Sequence, residues 1–217
     1  MEDGQVSSLG QTFRLDPPFF VLATQNPIEQ EGTYPLPAAQ LDRFMFEVRI
    51  DYPARDEEIA IMRLTTQPQE SRLEPVLGRD DVLAIQAAVR CIDTDREIVR
   101  YATRLARLSR PQDDAAPAIV KKYVAYGAGP RAARCLVMGA KVLALMRGDA
   151  QPTHADVRSL VAPVFRHRVV LNFLGAADAF DVHRVLDGLV HAVPAPDLPA
   201  RVTAPRRGIF AFFQKKA

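Results

Sequence analysis

Residues 19–50, FFVLATQNPIEQEGTYPLPAAQLDRFMFEVRI, decide how this chain is read. The run FFVLAT is continuously apolar, the pattern of a strand buried on both faces. It stops at Asn26-Pro27, where proline ends a strand. PAAQLDRF suits a short helix and MFEVRI a second strand. Strand, short helix and strand predict a βαβ unit with parallel strands. Ligands of open α/β sheets bind beyond the carboxyl ends of the strands, and TQNP occupies such an end.

Three residues near such ends have chemistry suited to phosphate. Asn26 offers a donor and an acceptor without charge, so it can orient a water beside a phosphate without repelling it; it can equally be a plain Asn-Pro turn. Arg43, at the end of the short helix, reads either as a surface ion-pair residue or as a cation reaching a phosphoryl group across a subunit boundary. Arg131 lies in YGAGPRAA, in the first turn of an expected helix, where the dipole disfavours a cation. Its placement makes sense beside a shared anion or a neighbouring carboxylate. Gly127 and Gly129 would let the chain turn tightly before that helix.

Working outward, VSSLGQTFRL, residues 6–15, predicts a hairpin turning at Leu9-Gly10. Beyond residue 52 the periodicity is helical throughout. ARDEEIAIMRLTT carries its acidic residues in the first turn, as the helix dipole favours. RDDVLAIQAAVRCI puts Val82, Ile85 and Val89 on one face. Thr94 with Glu97 suggests a capping box before Ile98, Ala102 and Leu105. PRAARCLVMGAKVLALMRG starts with Pro130 in the first turn and ends before Gly148. Thr153 and Asp156 suit the cap of HADVRSLVAPVFRHR, and DAFDVHRVLDGLVHAV is the last helix. The expected class is α/β plus α: the last parallel strands of a core with a hairpin (residues 1–52), then an α-helical bundle (53–194), then a tail (195–217).

Composition narrows the function classes. The 217 residues are 48% hydrophobic and 25% charged, ordinary for a soluble globular protein. No apolar run approaches the ~20 residues of a membrane span, and MEDGQVSS lacks the pattern of a signal peptide. Cys91 and Cys135 lack metal or redox spacing and read as reduced core positions, the expectation for a cytoplasmic protein. The four histidines are scattered, so no metal site is expected. A net charge of +2 makes nucleic acid the weakest candidate partner. The tail, RVTAPRRGIFAFFQKKA, carries five basic residues and no acidic one, and reads as a solvated or docked segment.

In order and separation, these segments resemble the MoxR family of AAA+ ATPases. FFVLATQNPIEQEGTYPLPAAQLDRF is similar to the family's central segment almost residue for residue, GAGPRA to its GASPRA element, and the stretch through VFRHRVVLNF to its lid. MEDGQV resembles the end of the helix after the family's Walker B strand, and the resemblance runs to about residue 194. It implies a partial P-loop NTPase core followed by a helical lid. Asn26 matches sensor 1, Arg43 the arginine finger given to a neighbouring subunit, and Arg131 sensor 2. It further implies hexameric, ATP- and Mg²⁺-dependent chaperone-like remodelling, often beside a protein with a von Willebrand factor A domain.

The sequence departs from that pattern in one major respect. None of its 11 glycines opens a G-x-x-x-x-G-K-[ST] loop, and no strand ends in Asp-Glu. Ala38 and Gly129 replace the family's usual Glu and Ser. The expectation is the sensor and arginine-finger part of such an ATPase, inactive alone; a truncated gene, a start codon assigned too far downstream and a deliberate excision all stay open. The alternative is a P-loop-less interaction module that assembles with an intact homologue. An apolar strand without neighbours is an aggregation hazard, so the first part is expected to be marginal alone and the helical part self-sufficient.

Overall fold

The computed structural model describes residues 4–25, 36–66 and 74–195. Asn26 and nearly all of the basic tail lie outside the described residues. The expected hairpin is present: β1 (Gln5–Ser8) pairs antiparallel with β2 (Gln11–Arg14), with Val6 opposite Phe13 and Ser8 opposite Gln11. Its loop residues Leu9 (φ 50°) and Gly10 (φ 77°) both have positive φ, so the turn is of the I′ kind that matches strand twist.

FFVLAT and MFEVRI differ from expectation. Neither residues 19–25 nor residues 45–50 form a ladder; both lack regular secondary structure. Phe20 (70%), Leu22 (86%) and Ile50 (92%) are exposed. An apolar run specifies burial but not its partner, and among the described residues no strand lies alongside either segment. Between them the short helix α1 (Ala38–Leu41) forms as read.

Helices follow. In α2 (Arg55–Thr65), Glu57 reaches back to accept from the Ala54 N–H at 2.9 Å, and no residue is buried. Helix α3 (Arg79–Cys91) buries Val89 and half-buries Val82 and Ile85, the expected face. Helix α4 (Arg96–Leu108) buries Ile98, Ala102 and Leu105 as its spacing predicted. Its cap is not the expected Thr94 but Asp95, which accepts from the Glu97 N–H at 3.0 Å. The Thr94 hydroxyl is left buried without a partner. After α5 (Ala118–Tyr123) and the short β3 (Val124–Tyr126), α6 (Pro130–Arg147) begins with proline in its first turn and stops at Gly148, whose φ of 78° closes it in the left-handed conformation.

HADVRSLVAPVFRHR forms two helices rather than one, α7 (His154–Ser159) and α8 (Val161–Phe165). Thr153 and Asp156 form the expected capping box on α7, with bonds of 2.7 and 3.2 Å. Pro163 lies in the first turn of α8, where its missing N–H deprives the helix of nothing. Beyond them, β4 (Val170–Leu171) pairs antiparallel with β3. Asn172 caps α9 (Phe173–Ala177) and Asp181 caps α10 (Val182–Ala192). The core gathers Leu105, Leu136, Val157, Phe165, Leu186 and Leu189 from five of these helices. Among the described residues, every buried hydrophobic falls between Val89 and Val193, so the bundle holds the core.

Candidate functional site: a guanidinium-anchored turn

The LDRF turn is held to the bundle by the side chain of Arg168, which is 1% exposed. Its Nε donates to Oδ1 of Asp42 at 2.9 Å and its Nη2 to the Asp42 carbonyl at 2.9 Å. Further donations reach the carbonyls of Phe44, Met45 (3.3 Å) and Val164. A buried charge is costly unless paired and fully hydrogen-bonded, and here one guanidinium meets both conditions. The Glu47 N–H adds a bond to the Pro163 carbonyl at 2.9 Å. Gly139 of α6 makes room nearby: a Cβ there would meet Leu160 Cδ1 at 2.7 Å and Phe46 Cζ at 3.3 Å.

Arg131, in the first turn of α6, donates to Oδ2 of Asp42 at 2.6 Å. The sequence left open an anion or a carboxylate as its neighbour; the structure supplies the carboxylate. Burial pushes the Asp42 carboxyl upward, but hydrogen bonds from Arg168 and Arg131 outweigh it and hold it below the usual range. Arg43 lies one residue beyond this pair. It is exposed and forms no side-chain ion pair with the described residues.

The loop entering α6 is fixed from behind. A Cβ at Gly127 would lie 2.3 Å from the Ser109 carbonyl oxygen, so the close approach admits only glycine. The Ala128 N–H donates to Ser109 Oγ at 2.8 Å, and Arg110 Nε donates to the Ala128 carbonyl at 2.9 Å. Gly129, by contrast, has an ordinary φ of −85° and caps α6 without a side chain, so its expected turn role is not needed. A Cβ there would meet nothing within 4 Å, leaving open space at the helix N-terminus beside Arg131.

The structure thus joins two of the sequence-predicted regions, LDRF and GAGPRA, through Asp42. Asn26 lies outside the described residues. Sequence reasoning missed Asp42 and Arg168. No local signal marks Arg168, one of three basic residues in RHR. Cys135 lies 3.8 Å from Arg168 Nη2, and burial pushes its thiol up, against the thiolate form. Arg43 and Arg131 are groups fit to read phosphate oxygens. The chain has no glycine-rich Lys-Ser/Thr loop to cradle them, and the described residues hold no cluster of three or more potential metal ligands. The guanidinium groups present suit the reading of phosphate oxygens.

Comparisons with known proteins match two parts of the chain. Residues 1–46 match the ATPase family associated with various cellular activities (AAA), and residues 116–185 match the AAA lid domain. The chaperone MoxR1 of Mycobacterium tuberculosis is 36% identical over 201 residues, covering 92% of this chain and 53% of that protein. The uncharacterized protein YeaC of Bacillus subtilis is 33% identical, covering 90% of this chain and 59% of its own. The crystal structure of a Cytophaga hutchinsonii protein designated an ATPase superposes with a TM-score of 0.82 at 30% identity, over 89% of this chain and 59% of that one. The chain therefore spans little more than half the length of the relatives it matches.

Proposed function

The chain belongs to the MoxR family of AAA+ ATPases, and from that premise we propose that it contributes the trans-acting and sensing part of a nucleotide site. Residues 1–52 end the ATPase core, 53–194 form the lid and 195–217 a tail. In this reading Arg43 extends from an oligomer subunit to its neighbour's nucleotide. There its planar, permanently charged fork stabilises charge developing on the transferring phosphoryl group. Arg131 senses the phosphate from the lid, and Asn26 orients the attacking water. ATP with Mg²⁺, when bound, supplies the phosphoryl group and neutralises part of its charge. Coupling of that cycle to remodelling of a partner, among them a protein with a von Willebrand factor A domain, follows from the family resemblance.

The observation that carries the reading is the setting of Arg43, an exposed cation without an ion pair among the described residues, on a backbone turn bonded to a buried guanidinium. A surface arginine with no external task does not need so rigid a mount. Alone, the chain should neither bind nor hydrolyse ATP measurably. Mixed with an intact MoxR-type homologue, it should enter the assembly and change the ATPase rate. Arg43→Ala should remove the chain's contribution at sites facing it; arginine fingers are worth about 10³–10⁵ in kcat. Equal rates with the native chain and the Arg43→Ala chain, at equal incorporation, would refute the reading.

A further inference from the structure

Arg168 grips the chain on both sides of Arg43. Its Nη2 donates to the carbonyls of Asp42 and Phe44, the residues immediately before and after Arg43. The Asp42 carboxylate is divided between two cations of different burial. Oδ1 takes Arg168, whose side chain is 1% exposed, and Oδ2 takes Arg131, whose side chain is 30% exposed. One partner is locked in the core, whereas the other is partly exposed. Asp42 adjoins Arg43 in the chain and bonds Arg131 through its carboxylate.

We propose that Asp42 couples the two cations: the partner held by Arg131 sets how firmly residues 42–44, and with them Arg43, are fixed to the bundle. Arg168 is the permanent anchor of this linkage and Asp42 its positioning residue. An anion that draws Arg131 toward itself weakens the bond to Oδ2 and leaves the turn on Arg168 alone. By linkage, a turn pulled away from the bundle releases Arg131 from Asp42. The functional consequence rests on the reading of Arg43 and Arg131 given above, whereas the coupling is a property of this chain.

The test is a double-mutant cycle in the full chain, read by amide hydrogen exchange at Arg43 and Phe44. These amides donate to the carbonyls of Gln40 (3.1 Å) and Leu41 (3.0 Å). Arg131→Gln should speed their exchange by about threefold, the scale of a partly exposed ion pair, and Asp42→Asn by more, because it also removes the counter-charge of the buried Arg168. The double variant should be no faster than Asp42→Asn alone, and Arg131→Lys should restore part of the protection lost in Arg131→Gln. Additive effects, or unchanged exchange in Arg131→Gln, would overturn the proposal. A second readout separates positioning from simple loosening. With the intact homologue, Asp42→Asn should lower kcat at unchanged KM for ATP, because a misplaced Arg43 is felt in the transition state. Unchanged kcat at equal incorporation would overturn the positioning role, provided Arg43→Ala lowers it. If Arg43→Ala has no effect, the trans-acting reading fails and the exchange cycle alone decides the coupling.

Discussion

Arg168 shows how far one side chain can determine a local structure. Its five nitrogen–oxygen bonds tie the carboxylate and carbonyl of Asp42 and the carbonyls of Phe44, Met45 and Val164 into one cluster. Replacing it with alanine leaves those acceptors without a donor and opens a void among Val164, Cys135 and the turn. Arg168→Ala should therefore cost about 3 kcal/mol in equilibrium unfolding, near the lower bound for breaking a buried pair because Asp42 is itself one-third exposed. Chemical denaturation at neutral pH measures it; a loss within about 0.5 kcal/mol, typical of surface sites, would contradict the account. In sequence, this arginine is one of three basic residues in RHR, and nothing in periodicity distinguishes Arg168 from Arg166. Only the packed turn does.

Among the elements, the hairpin was legible because its signal is local. Leu9-Gly10 lies between two short strands, and both residues take positive φ. Leu9 is fully exposed (101%), so its side chain gains nothing for adopting a conformation disfavoured for branched residues. Leu9→Asn should stabilise the hairpin by about 1 kcal/mol, since asparagine tolerates this conformation. Slower hydrogen exchange at the β1 and β2 amides is the readout, and unchanged rates would count against the assigned turn. The helices were legible for a related reason, their 3.6-residue periodicity and caps lying within each segment. Thr94 was misread because Asp95, one residue on, offers a competing cap of the same chemistry. FFVLAT and MFEVRI failed as strands because a ladder is a property of two segments, not of one.

For the whole molecule, stability should depend on pH in a direction set by buried groups. Burial pushes His154 and His167 down; the Arg168 charge adds to the effect at His167. Each keeps a buried ring nitrogen without a partner, Nε2 in His154 and Nδ1 in His167. The unfolded chain thus takes up protons near the ordinary value of 6.5 before the native one does, so stability falls as pH drops through that value. Asp42 and Asp156 extend the loss at lower pH. Burial raises each carboxyl, but arginine hydrogen bonds prevail and hold both below 3.8. Their stabilisation is complete above that value and vanishes as pH falls through the native pKa. The denaturant midpoint should be lower at pH ~5 than at pH ~7.5 and should fall further below pH ~4. A flat profile between pH ~7.5 and ~5 would contradict the histidine contribution.

The sequence by itself determined the longer helices α2, α3, α4, α6 and α10, the hairpin and the family, because periodicity, caps, turn residues and a long ordered motif are encoded within contiguous segments. It also identified Arg43 and Arg131 as cations in unusual places. Tertiary structure alone decided that both regions meet at Asp42, that Arg168 is buried beneath them, and that Gly127 is required by the Ser109 backbone. Those facts join residues far apart in sequence, 89 positions for Arg131 with Asp42 and 126 for Arg168 with Asp42. In sequence the charge of Arg168 looks like any other until desolvation and a fixed partner give it a distinct energy.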